Sequence, residues 1–144
     1  MPLLWFFDKC FHEKTLARSG LLQAIELLLS YQYRRFVCRY STNALQKTYV
    51  ALPKEIGDAA DIPKRLFEIL ASKRRAQTFP GDGEFRTALV SFDLYPSRLA
   101  KYTLAMIERH EADTNGHVEL TEEITIEHVM PQTLATGMSS LRRR

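Results

Sequence analysis

Long apolar runs are missing from this 144-residue chain. The longest, such as Leu27-Leu28-Leu29, fall far below the roughly 18 residues that a membrane span needs. No basic segment opens the apolar stretch Met1–Phe7 and no small-residue cleavage site closes it, so it does not read as a signal peptide. A cytoplasmic chain with no membrane partner is the expectation. Cysteine is scarce: Cys10 and Cys38 stand apart with no CxxC pairing, which reads as two free thiols in a reducing compartment. Gly-rich phosphate loops and GxSxG elbows are absent, which disfavours nucleotide hydrolysis and serine-hydrolase chemistry. Excess charge is also slight. The formal net charge is +3, and leaving out Arg142, Arg143 and Arg144 brings it to zero. Any phosphate contact must therefore come from local clusters rather than from global basicity. What the chain does have is 45% hydrophobic residues, enough to exclude disorder and to build one core.

Most of that apolar content recurs at the helical period. A first helix is predicted from Leu3 to about Leu16, and Ser19 is placed to cap a second. The second carries Leu21, Leu22, Ile25, Leu28, Leu29, Tyr33 and Phe36 as a wide buried stripe. Ser41, Thr42 and Asn43 offer caps for a third helix with Leu45, Tyr49, Leu52 and Ile56 on one face, and Pro53 is expected to kink or end it. After a loop from Gly57, Asp61 caps a fourth helix with Pro63 in its first turn and Leu66, Phe67 and Leu70 inward. Pro80-Gly81-Asp82-Gly83 is a break. A short helix with Phe85, Ala88 and Leu89 inward comes next, then a Phe92–Tyr95 connection. Ser97 can cap a last helix whose inward face is Leu99, Tyr102, Thr103, Met106 and Ile107, ended by Asn115-Gly116.

Beyond Gly116 the period changes. Glu122 to Met130 alternates and is rich in Ile, Thr and Val, with Pro131 closing it, a strand pattern. The fold class expected is mainly α: a compact helical bundle over 1–115 with one C-terminal β-strand at 122–130.

The sharpest chemical feature lies on that strand. Adjacent strand residues face opposite ways, so Glu127 and His128 would lie on either side of the backbone. An imidazole can take a proton from water, and a neighbouring carboxylate can hold a divalent cation. An acidic residue, His, two apolar residues and Pro also form the opening strand of His-Me finger (HNH) nucleases. By periodicity alone, the reading to prefer is a core histidine, since His128 is in phase with Ile124, Ile126 and Met130. Cys10 and His12 lack further ligands at metal spacing. Lys73, Arg74 and Arg75, with Lys64 and Arg65, make a basic helix face that suits either phosphate or plain solvent. Arg34, Arg35 and Arg39 sit among Tyr31, Tyr33, Phe36 and Tyr40. That mixture fits nucleic-acid contact and a buried carboxylate partner equally well.

Several segments together resemble one family. Leu28 to Cys38 (LLSYQYRRFVC) followed by Ser41 to Leu45 (STNAL), then Phe79 to Arg86 (FPGDGEFR) with Leu94-Tyr95, the Tyr102–Glu108 helix, and Ile124 to Leu134 (ITIEHVMPQTL) are similar, in this order, to motifs of the DUF262/DUF1524, GmrSD-like restriction endonucleases. The resemblance implies a modification-dependent restriction system, in which a nucleotide-hydrolysing domain precedes a helical region and an HNH-type nuclease. The reaction it implies is cleavage of DNA carrying modified cytosines, assisted by a divalent metal, Mg²⁺ or Mn²⁺. On that resemblance His128 matches the water-activating histidine and Glu127 a metal ligand.

The departures shape the remaining expectations. The family's nucleotide-binding domain has no counterpart, and its downstream GNLTLL strand is missing. Thirteen residues follow Pro131, whereas a second strand and a helix take about 17 plus loops. The family-like motifs stop at Leu134. The organisation expected is a helical domain over 1–115, the start of a truncated nuclease domain over 116–134 as an incomplete ββα finger, and an unmatched basic tail over 135–144. Such a fragment would bind no metal tightly and cut no DNA alone, the missing parts of the same protein being its natural partner. The rival is a non-catalytic helical scaffold that binds protein or DNA.

Overall fold

The computed structural model describes residues 2–95, 97 and 99–115. They form six helices: α1 (Pro2–His12), α2 (Arg18–Val37), α3 (Asn43–Ile56), α4 (Ile62–Ser72), α5 (Asp82–Val90) and α6 (Ala100–Asn115), with a 3₁₀ turn at Arg75–Gln77. The mainly helical class is as expected, while the predicted strand at 122–130 lies outside the described residues. The chain divides into two compact units between Phe92 and Asp93.

In the first unit, α1 packs on α3 and α2, and α4 packs on α2 and α3. The core joins Leu3, Phe7 and Cys10 of α1, Ala24 and Tyr31 of α2, Leu52 and Ile56 of α3, and Leu66 and Leu70 of α4. Gly20 permits one close approach: a Cβ there would stand 3.0 Å from Leu16 Cδ1 and 3.6 Å from Pro63 Cγ, where α2 meets the start of α4.

Local chemistry sets most of the boundaries. Asp61 caps α4 as the sequence suggests, its carboxylate accepting the Lys64 N–H at 3.0 Å, with Pro63 in the first turn. Three other expectations need correction. Helix α1 ends at His12, not near Leu16, because Lys14 turns left-handed (φ 58°). The N–H groups of Lys14 and Thr15 then donate to the carbonyls of Phe11 and Cys10, a Schellman closure. Helix α2 starts at Arg18 with extended Ala17 as N-cap and no side-chain cap, so Ser19 is already inside the first turn. Of the two effects expected of Pro53, ending the helix is excluded, since α3 runs through it to Ile56. The proline forgoes one helix hydrogen bond and crowds the preceding turn, while its own carbonyl accepts the Gly57 N–H at 3.1 Å.

The largest correction concerns which face of α2 is inside. The buried line runs through Ala24, Tyr31 and Arg35, flanked by half-buried Leu27 and Leu28, while Leu22, Ile25, Leu29 and Phe36 are exposed. Helix α2 carries two apolar stripes, and α4 covers the one with small Ala24, which lets the helices approach. In the second unit, Ala100 and Thr103 are buried and Leu99 is half-buried, whereas Tyr102, Met106 and Ile107 of the expected inward face are exposed.

Candidate functional site

The Arg-Arg pair near the end of α2 has a geometry that decides its role. Arg35 is 1% exposed. Its Nη1 donates to the Thr78 carbonyl at 2.8 Å, and its Nη2 donates to the carbonyls of Ser41 at 2.8 Å and Ala76 at 2.7 Å. The guanidinium plane lies 5.3 Å from the Tyr31 ring and 5.1 Å from the Tyr40 ring. Its Nε is buried without a partner. Arg34, one residue earlier, donates to Asp82 Oδ1 at 2.6 Å and to the Pro80 carbonyl at 3.3 Å, with Phe85 beneath it at 5.0 Å.

Tyr31 adds an O–H bond to the Gln77 carbonyl at 2.8 Å, and the Gln77 amide donates to Thr48 Oγ1 at 2.9 Å. One face of α2 thus grips the carbonyls of residues 76, 77, 78 and 80. Those carbonyls belong to an irregular segment that offers its oxygens no ladder of its own. Buried backbone oxygens must be satisfied somewhere, and α2 supplies the donors.

The candidate nucleic-acid residues therefore separate. Arg35 is a structural clamp whose partners are carbonyls rather than the carboxylate the sequence left open, and a phosphate cannot reach it in this fold. Arg34 is largely engaged within the same clamp. Arg39 is exposed at φ 58°, in the left-handed position that closes α2: its N–H donates to Phe36 and the next N–H, of Tyr40, to Arg35. Lys73 is also committed, its Nζ lying 2.8 Å from both carboxylate oxygens of Glu55.

Arg74 and Arg75 differ. Arg74 is exposed, and only its Nη1 has partners, the carbonyls of Ala71 and Lys73. Arg75 is exposed and left-handed at φ 57°. Both line an open groove of about 430 Å³ with Ser41, Asn43, Ala44, Lys47, Ala76 and Gln77. Sequence reasoning missed Lys47. Its only signal was position, one turn into a helix whose N-terminus was already marked by Ser41-Thr42-Asn43. Three cations meet there and no carboxylate lines the groove among the described residues. The first turn of α3 adds the positive end of its dipole.

Two pKa shifts arise from the same packing. Burial pushes the Tyr49 phenol up to about 12, with Tyr31 adding to the rise and Arg35 opposing it. Burial, then the charge of Glu84, raises the Cys38 thiol against the pull of Arg34. A thiol so shifted is a weaker nucleophile. Cys10 and Cys38 are both free, as expected from their spacing.

Glu127 and His128 lie outside the described residues. Within the described ones, no group of three His, Cys, Asp or Glu residues is placed to hold a metal ion, and no helix is long and apolar enough to cross a membrane.

Residues 79–143 match the family model of GmrSD restriction endonucleases, C-terminal domain. The match takes in Phe79 and Pro80 of the clamped segment, all of α5 and α6, and the Ile124–Leu134 stretch, and it runs past Leu134, where the family-like motifs stop. No curated protein and no solved structure matches the chain.

Proposed function

We propose that the chain belongs to the GmrSD-like, modification-dependent restriction endonucleases, acting on DNA with a divalent metal, Mg²⁺ or Mn²⁺. The observation that carries this reading is the family match, because it spans Ile126-Glu127-His128-Val129-Met130-Pro131, the pattern with an HNH-type rationale of its own. In this reading His128 takes the proton from the attacking water, and Glu127 would hold a divalent cation, which when bound would supply positive charge to offset the charge that builds up on phosphodiester cleavage. One carboxylate is a poor cage for Mg²⁺, which relies on further ligands and substrate phosphates. The chain by itself is therefore expected to bind metal weakly and to leave plasmid uncut.

The test uses a positive readout. Mn²⁺ added to the chain together with DNA should broaden the amide resonances of Glu127 and His128 selectively, and Glu127→Ala should abolish that broadening. Plasmid nicking is assayed in parallel with His128→Ala. Mn²⁺ that never approaches these two residues would sink the reading. Nicking by the native chain that disappears in His128→Ala would show a complete site and correct the expectation of inactivity alone. A non-catalytic helical scaffold that binds protein or DNA is the second reading, although the clamp takes Arg35 out of any binding surface. It predicts no metal effect at all.

A further inference from the structure

The groove between the start of α3 and the 3₁₀ turn gathers three exposed cations. Lys47, Arg74 and Arg75 converge on it from two separate elements. Three exposed like charges at one cleft repel weakly, and no carboxylate among the lining residues offsets them. Arg75 sharpens the point. It occupies a left-handed conformation, where a non-glycine residue costs about 1 kcal/mol and glycine costs little. Lys14 and Arg39 share that conformation, but of the three only Arg75 lines the open cleft.

The walls are also held in place. Arg35 bonds the carbonyls of Ser41 and Ala76, and each of these residues lines the groove, one on either side. A buried arginine thus ties together the two stretches of backbone that line the groove, so that part of the cost of bringing them together is met before a ligand arrives. Ser41 and Asn43 place neutral hydrogen-bonding groups among them, while the Gln77 amide is held by Thr48. Converging cations, donors and a fixed cleft suit a tetrahedral oxyanion carrying more than one free oxygen.

We propose that this groove is a phosphate-binding site and that its occupant is the sugar-phosphate backbone of DNA. The choice of occupant rests on the proposal that the chain acts on DNA. The groove itself rests on Lys47, Arg74 and Arg75. It positions the duplex without reading sequence, since contacts to phosphate carry no base information.

The experiment measures binding of the full chain to a labelled random-sequence duplex by fluorescence anisotropy across a salt series. Lys47→Ala, Arg74→Ala and Arg75→Gly should each weaken binding evenly across duplex sequences and make the slope of log K against log salt shallower by about one unit. Lys14→Gly is the matched control. It removes one positive charge and relieves one left-handed residue at another helix end, and it should leave the slope unchanged. Thermal unfolding separates folding from binding: Arg75→Gly should unfold no earlier than the native chain while binding more weakly. Inorganic phosphate is the second arm, read as amide shifts at Asn43, Ala44 and Lys47. Duplex bound with native slope by all three groove variants would overturn the groove and leave the DNA reading standing. Phosphate shifts with no duplex binding would overturn DNA as the occupant. Neither phosphate shifts nor slope changes would overturn the site itself, whatever Mn²⁺ does at Glu127.

Discussion

Arg35 and Arg75 both meet the chain at Ala76, one by bonding its carbonyl and one as its neighbour in sequence, and show two uses of one side chain. Arg35 is enclosed, with three carbonyls on its guanidinium and two tyrosine rings flanking it. Arg75 is exposed, with a strained backbone and a side chain turned to a groove. Removing the first should damage the fold, and removing the second should leave the fold intact and alter what it binds. The difference teaches that a basic motif in a sequence carries no role of its own. The role depends on whether unpaired carbonyls arrive beside it.

The sharpest way to break this contrast is Arg35→Leu. It leaves the carbonyls of Ser41, Ala76 and Thr78 without donors, and an unmade bond to a buried group costs the full desolvation of that group. A loss of about 3 kcal/mol or more in urea unfolding is expected. Arg35→Lys should recover little, because a single ammonium does not reproduce the planar fork. Arg75→Lys should change stability by less than about 0.5 kcal/mol. If the two arginines cost the same, the contrast is wrong.

Tyr49 offers a pH test of the same region. Its folded pKa of about 12 lies above the ordinary value of 10.0. The protonated phenol is thus favoured by folding, so its stabilisation is fully present below pH 10 and is lost as pH rises from 10 to 12. Allowing for partial solvent access, the decline should be about 1–2 kcal/mol. Denaturant midpoints of Tyr49→Phe should fall less steeply over that window. An unchanged slope would mean that the phenol is not shielded.

Smaller again is Tyr31→Phe, which keeps the ring against Phe79 and removes only the bond to the Gln77 carbonyl. About 1 kcal/mol is expected from thermal unfolding. The smallest effect runs the other way: Arg39→Gly should stabilise by about 0.5–1 kcal/mol by relieving its left-handed backbone. A drop in stability would mean that the Arg39 side chain holds something on the surface.

Features set by neighbours in the chain were legible from the letters. Asp61 with Pro63 marked the start of α4, and Gly57 its preceding loop, because caps and left-handed turns depend on a few adjacent residues. The face of α2 was not legible. Leu22, Ile25 and Leu29 form as good a stripe as Ala24, Leu28 and Tyr31, and the choice depends on α4, some forty positions away. Arg35 was opaque for a related reason. Its partners are main-chain oxygens of Ala76 and Thr78, which every residue possesses and no composition reveals. The groove stayed hidden because Lys47 and Arg75 meet only after α3 and the 3₁₀ turn are brought together.

The clamp has a consequence for how such a gene can be rearranged. Sequence likeness to the endonuclease domain begins at Phe79, but the Phe79 ring stacks edge-on against Tyr31 at 5.3 Å and Pro80 is held by Arg34. The tertiary seam lies further on, after Phe92, whose ring in turn rests on Phe36. A recombination joint at codon 79 would therefore split one folding unit and carry half of an aromatic cluster into a foreign neighbour. A joint after codon 92 would transplant cleanly, carrying α6 across while α5 stays with the unit it packs on.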